Sequence, residues 1–370
     1  MKAAANPRPG FSASPRAVNA AAIVIVGGAG FIGSNLADHY LSQGRKVIVL
    51  DNLSRPGVID NLRWLQGRHG DLVRPIVEDI RDPVAIRSAF ENACAVYHFA
   101  AQTAVTTSLA KPREDFEINA LGTVNVLETV REVAPEAPVI FASTNKVYGN
   151  LTELELQQIG DRYMPLDQAT SRSGIGEDQK LDFCTPYGCS KGVADQYVLD
   201  YSKSYGLRTA VLRMSCIYGP RQFGTEDQGW VAHFLIRALR GELISVYGDG
   251  RQVRDVLHVS DAVTAYSTLL EKIDLAQGRA YNLGGGPENA VSIQIVLREI
   301  EALTGKSLQV EYGDWRAGDQ LYFVADTRRI QHALGWAAKV GWRDGLRNLH
   351  DWLVDSDIVR LAGARQRVSA

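Results

Sequence analysis

Cysteine is scarce in this chain of 370 residues, with only Cys94, Cys184, Cys189 and Cys216. None forms a C-x-x-C pair, so neither a zinc site nor a dithiol redox motif is indicated. Free thiols in a reducing, cytoplasmic compartment are the expectation. The seven histidines are scattered, with no H-E-x-x-H and no pair at ligand spacing, so no metal is expected. An excess of charge is also missing: 40 Lys and Arg against 42 Asp and Glu leave a net charge of −2. That balance gives no electrostatic case for a nucleic-acid partner. No apolar run is long enough to span a membrane. Internal repeats are absent, and residues 1–20 hold Ala, Pro, Ser and Arg without an acid or an apolar core. That stretch is not a secretory signal and reads as a disordered tail.

What is present is enough apolar material for a sizeable core: 45% hydrophobic residues and six Trp. The stretch that organises the chain is Ile23-Val24-Ile25-Val26-Gly27-Gly28-Ala29-Gly30-Phe31-Ile32-Gly33. A β-branched run reads as a buried strand, and an amphipathic pattern beginning at Phe31 reads as a helix. Strand, glycine turn and helix form the context of a dinucleotide site. Gly27 permits the tight turn, Gly30 lets backbone amides approach a pyrophosphate, and Gly33 lets helix pack on strand. The spacing is G-x-x-G-x-x-G, and the candidate contacts are Gly27, Gly30, Phe31, Ile32 and Gly33. A second strand, Lys46 to Leu50, ends at Asp51, with Asn52 beside it. A carboxylate there suits both hydroxyls of an adenosine ribose and repels a 2′-phosphate, so NAD is favoured over NADP. Arg55, four residues on, is the feature that keeps NADP open.

Further apolar runs predict strands at 73–77, 95–101 and 139–142, with a helix over 114–133. Asp79 and Ile80 could flank an adenine ring, while Asp82 before Pro83 reads as a helix cap. Ala100 and Ala101 are small enough to let backbone approach a cofactor. His98, inside an apolar run, reads as a satisfied core residue. Strand and helix alternate from about 22 to 213, which predicts an α/β fold with a doubly wound parallel sheet. Ligands then collect where the strands end.

The fifth strand runs into Ser143-Thr144-Asn145-Lys146-Val147-Tyr148-Gly149. A polar insert, roughly 150–183, leads to Thr185-Pro186-Tyr187-Gly188-Cys189-Ser190-Lys191. Thr185 reads as an N-cap and Pro186 as the first helical residue. Tyr187 and Lys191 are then one turn apart on the same helix face. A free Tyr, with a pKa of about 10, is a poor base at neutral pH. A neighbouring ammonium, a helix N-terminus and an oxidised nicotinamide would each favour the phenolate. Such a Tyr can take a hydroxyl proton as hydride leaves the same carbon.

From about Ile23 to Trp352 the chain resembles the extended short-chain dehydrogenase/reductases of the nucleotide-sugar epimerase and dehydratase type. The resemblance implies a Rossmann-type NAD domain over 21–213, rejoined by segments of 214–285. It also implies a smaller, largely substrate-binding α/β domain over 214–355. It assigns catalysis to Thr144, Tyr187 and Lys191. Arg254 and Arg316 resemble the family's diphosphate-binding arginines, and Arg221 lies in a loop resembling its substrate lip. Asn145 would orient the sugar. Dehydratases of the family carry an Asp-Glu pair where this chain has Asn145-Lys146, which disfavours elimination. Thr144-Asn145-Lys146-Val147-Tyr148-Gly149 and Arg221-Gln222-Phe223-Gly224-Thr225-Glu226-Asp227-Gln228-Gly229-Trp230 resemble the CDP-paratose 2-epimerase group most. That implies inversion at sugar C2 of a CDP-hexose, with a UDP-glucose-type 4-epimerase or 4,6-dehydratase as the other reading. The family also implies a homodimer, or a homotetramer, paired through helices at about 114–133 and 186–204.

Overall fold

A computed structural model describes residues 21–356 of the chain. The tail expected at 1–20 lies outside the described residues. Strand β1 (Ala22–Val26) is buried at every position. Side chains alternate across a strand, so Ile23 and Ile25 enter one hydrophobic core while Val24 and Val26 enter another. Both cores are needed because helices cover both faces. Each such side chain contributes about 1.5–3 kcal/mol when fully buried.

β2 (Val47–Leu50), β3 (Val73–Ile76), β4 (Ala93–His98), β5 (Val139–Thr144), β6 (Thr209–Met214) and β7 (Arg279–Leu283) complete the sheet. Its order is β7-β6-β5-β4-β1-β2-β3, and every neighbouring pair is parallel. The fold is therefore a doubly wound α/β sheet of Rossmann type. The chain reverses direction across the sheet between β1 and β4, which makes their C-terminal ends the switch point where ligands bind.

Three helices position the site. α1 (Phe31–Leu41) follows β1 directly, with Gly30 as N-cap and no side chain capping its first amides. The helix expected over 114–133 is interrupted by a π turn, Glu117–Leu121, ahead of α2 (Gly122–Val133). The turn carries buried Asn119. Its amide bonds Gln102 N and O, Asp115 Oδ1 and Ser190 Oγ. Such π turns recur at functional sites because they re-aim a side chain. α3 (Thr185–Tyr205) holds Tyr187 and Lys191. Cys184 flanks it, and Thr185 has a φ of 65° while its hydroxyl accepts from Gly188 N at 3.4 Å. That bond is the one a capping residue makes, and helix ends differ by a residue between definitions.

A smaller third core draws on residues from Tyr218 to Leu353, including α4 (Trp342–Asp355). The 150–183 insert forms an antiparallel hairpin, Leu156–Ile159 with Arg162–Pro165. Its Leu156 and Met164 pack on Val253, Tyr322 and Val324, so the hairpin rests on the C-terminal part. Among the described residues no helix is long and apolar enough to cross a membrane.

Candidate active site

The glycine turn is built by close backbone contact. A Cβ on Gly27 would lie 2.5 Å from Ala100 N, and one on Gly33 would lie 2.3 Å from Gly27 O. Both positions exclude any side chain, because the obstacles are backbone. Gly30 differs: a Cβ there meets only Gly27 O, at 3.2 Å. The space in front of α1 is open, and its first amides face it without a side-chain cap. An anion fits there, held by free N–H groups and the helix dipole. Asp51 Oδ2 accepts from Ala29 N at 3.1 Å and Oδ1 from Leu53 N at 2.9 Å. A carboxylate accepts about four hydrogen bonds, so acceptor capacity remains for a ribose hydroxyl. The turn and Asp51 together fit a dinucleotide.

Other candidate cofactor contacts are distributed around this turn. Ala100 N donates to Val26 O at 3.0 Å, which seats the loop after β4, including Ala101, against the tip of β1. Asn52 Nδ2 donates to Asp79 Oδ2 at 2.8 Å, and Arg81 forks onto the same carboxylate. The Arg81 guanidinium holds Asp79 well below the usual carboxylate range. Ile80 is buried against Gly122, where a Cβ would lie 2.6 Å from its Cδ1. His98 is buried and bonds Thr123 Oγ1 at 3.0 Å. Burial pushes His98 down to about 3, so it stays neutral.

The cleft continues into a cavity of about 450 Å³. Phe31, Ile32, Thr144, Asn145, Tyr187, Arg254 and Arg316 all line it. Burial pushes the Tyr187 phenol up to about 12, and Asp115 adds to that. A hydrogen bond with Thr144 and the charge of Arg55 oppose it. The helical spacing leads one to expect the Lys191 ammonium beside the phenol, as one of the groups favouring the phenolate. The ammonium instead donates to Ala142 O at 2.7 Å and sits 4.0 Å over the Phe141 ring. The reason is reach: a four-carbon stem carries the ammonium from α3 to a carbonyl of β5. Burial pulls Lys191 down to about 7, against the pull of Asp195 and Asp115.

At the far end of the cavity, cations are paired to carboxylates. Arg254 Nη2 donates to Asp319 Oδ1 at 2.7 Å. Lys146 Nζ donates to Gly318 O at 2.9 Å and stands 3.8 Å from Asp319. Burial, with Arg254 beside it, lowers Lys146 to about 8. Arg316 lies 3.8 Å over the Tyr247 ring and donates to Glu226 Oε1 at 2.9 Å. Asn145 Nδ2 donates to Gln320 Oε1 at 3.0 Å. Arg221 is not in the cavity wall. Its guanidinium stacks 3.8 Å over Trp64 and 5.8 Å from the Trp352 ring, joining α4 to the helix after β2.

Sequence reasoning placed Ser143 at a strand tip of the cleft without a role of its own, and passed over Asp319, Gln320 and the buried trio Asp115, Asn119 and Ser190. Ser143 borders the cavity, and its buried Oγ has no protein partner. Its place beside Thr144 on a strand tip was a usable signal. Asn119 in an apolar helix pattern was another. Asp319 and Gln320 carried none, since their partners are 65 to 175 residues away.

A strand-tip cleft with an uncapped glycine turn, a ribose-type carboxylate and a Tyr/Lys helix defines a dinucleotide-dependent enzyme of the short-chain dehydrogenase/reductase class. The chain belongs to the NAD dependent epimerase/dehydratase family, whose profile matches residues 23–284. It is 41% identical over 342 residues to a CDP-paratose 2-epimerase of Salmonella typhi, covering 89% of this chain and 98% of that protein. Among solved structures, UDP-glucose 4-epimerase of Thermotoga maritima with UDP-glucose is similar at a TM-score of 0.78 and 29% identity. UDP-glucose 4-epimerase of Thermus thermophilus in complex with NAD is similar at 0.76 and 31%. Each match covers 90% of this chain and 99% of the other.

Proposed function

We propose that this chain is an NAD-dependent epimerase that inverts C2 of a CDP-hexose, of the CDP-paratose to CDP-tyvelose type, through a transient 2-keto sugar. The observation that carries the reading is the 41% identity across nearly the whole of a CDP-paratose 2-epimerase. NAD, when bound, supplies the acceptor and donor of the C2 hydride. Tyr187 takes the proton of the C2 hydroxyl, and Thr144 holds the reacting oxygen. Lys191 ties α3 to the tip of β5 through Ala142 O, which fixes Tyr187 opposite Thr144. Arg254 and Arg316 carry the charge that a diphosphate needs, and Asn145 orients the sugar. Arg221, stacked between Trp64 and Trp352, would hold the lip in place. The sugar turns over in the cavity before its carbonyl is reduced from the other face.

Elimination is a poorer fit. It needs an acid and a base beyond the Tyr. The two residues after Thr144 offer no carboxyl: Asn145 is engaged by Gln320, and Lys146 by Gly318 and Asp319. The dinucleotide part would comprise 21–213 with β7, and the substrate part most of 214–355. A homodimer through α3 and the helix around α2 is supported by exposed Phe116, Leu121 and Tyr197 along those helices. Four free cysteines support a cytoplasmic setting.

The test is turnover of CDP-, UDP-, GDP- and dTDP-sugars in deuterated water, with products resolved by NMR. Inversion at C2 of a CDP-sugar, with no deuterium on carbon, is the expected result. Inversion at C4 would replace the reading by a 4-epimerase, and deuterium at C5 by a dehydratase.

A further inference from the structure

The sheet order places β1 between β2 and β4. Arg55 is on the loop after β2, and Thr103 is on the loop after β4. Arg55 Nη1 donates to Thr103 Oγ1 at 3.2 Å. A side chain that joins those two loops must cross above the tip of β1, over the glycine turn and the open end of α1. The same guanidinium is within electrostatic reach of Asp51, at the ribose end of the groove, and of Tyr187, at the reacting end. The residue as a whole is exposed, while its guanidinium is desolvated enough to lower its pKa.

The loop that carries Arg55 is held in one shape. Asp51 and Asn52 accept from Leu53 N and Ser54 N, two successive Asx turns. Leu53 has a φ of 54°, a strained value for a branched side chain. Gly57, with a φ of 83°, lies flat on the Phe223 ring, where a Cβ would stand 2.7 Å from Cγ. A loop so constrained delivers its arginine to one place.

We propose that Arg55 is a strap over the pyrophosphate of the bound dinucleotide, closing the groove opposite the amides of α1 and retaining the cofactor through turnover. The inference rests on the dinucleotide reading of the glycine turn. α1 offers N–H groups from one side of the phosphates, and Arg55 offers a fork of donors from the other. A guanidinium has five donors, so it can keep Thr103 while binding phosphate. The strap also gives Arg55 a different role from reading a 2′-phosphate. A 2′-phosphate would sit at Asp51, whereas Arg55 is bonded to a loop on the far side of β1.

The test uses full-length wild-type protein and the variants Arg55→Gln and Arg55→Lys. Dinucleotide released by acid from purified protein is counted, and binding of ADP-ribose, adenosine and NADP to stripped protein is titrated calorimetrically. Arg55→Gln is expected to lower the retained NAD severalfold and to weaken ADP-ribose at least tenfold, with adenosine unchanged. Arg55→Lys should restore part of both losses. Equal NAD retention and ADP-ribose affinity in wild type and Arg55→Gln would overturn the strap. So would an equal loss for adenosine, which means a damaged loop, or an effect confined to NADP. Wild-type protein that binds none of these ligands would overturn the dinucleotide reading itself, and the strap with it.

Discussion

At the dinucleotide end of the cleft the chain meets itself over short separations. Ala29 bonds Asp51, 22 residues on, and Asn52 bonds Asp79, 27 residues on. At the sugar end the separations are long. Asn145 bonds Gln320 across 175 residues, Lys146 bonds Gly318 across 172, and Arg316 bonds Glu226 across 90. The first end is a property of consecutive β-α-β units, so its shape is set by local turns and backbone contact. The second end exists only after the C-terminal part has docked. It is held by charged pairs that an anionic ligand entering the cavity would have to rearrange. The two ends should therefore fail in different ways when altered: cofactor retention at one, substrate affinity at the other.

The largest effect is expected where the two ends meet. Tyr187→Phe should lower kcat by about 10²–10⁴-fold, the range of a lost general base, with cofactor content intact. Product formation followed by NMR checks it, and unchanged turnover would remove Tyr187 from the chemistry. At the sugar end, Arg254→Gln should raise KM for the nucleotide sugar about 10- to 100-fold, because charged hydrogen bonds contribute roughly 1.5–3 kcal/mol. Retained NAD should not change, and a loss of NAD in this variant would erase the division between the ends. At the dinucleotide end, Gly33→Ala puts a methyl 2.3 Å from Gly27 O. Overpacking of this kind destabilises by about 1–3 kcal/mol. Depletion of bound NAD, measured in the purified protein, is the expected sign, and normal NAD content would show that the turn can relax.

The smallest effect concerns pH. Burial lowers Lys191 from its ordinary 10.5 to about 7. Between those values the unfolded chain binds the proton more than the folded one does. The stability tied to this group is therefore full above the ordinary value and is lost as pH falls through about 7. Urea unfolding of cofactor-free protein should show stability rising from pH 7 to pH 9. Lys191→Met should flatten that rise, and an equal slope in both proteins would mean that the lysine is hydrated in the folded state.

The contrast between the ends also explains what could be read before folding was known. The glycine turn was legible because strand, turn and helix are local. Each of Gly27 and Gly33 answers to backbone a few residues away or on the adjacent strand tip. The parallel sheet was legible because β-branched runs alternate with helical patterns at regular spacing. The π turn at Glu117–Leu121 was not, since a helix pattern looks the same with one residue inserted. The direction of Lys191 was not either. Helical spacing puts it on the face of Tyr187, but the carbonyl that captures it belongs to β5. Arg221 shows the same limit. Its loop suggested a substrate lip, while Trp64 and Trp352, from opposite ends of the chain, take the guanidinium.

Local residue order was enough to specify a Rossmann-type sheet, the glycine turn, the carboxylate that follows β2 and the helix that presents Tyr187 and Lys191. Backbone sterics and side-chain periodicity act over a few residues, and those features need nothing more. Which cations face the cavity, and which carboxylates hold them, was settled by the packing of the C-terminal part against the strand tips. Arg55 and Thr103 met because β2 and β4 flank β1 in the folded sheet. Desolvation and charge pairing depend on neighbours brought together across many residues, and only the folded chain supplies them.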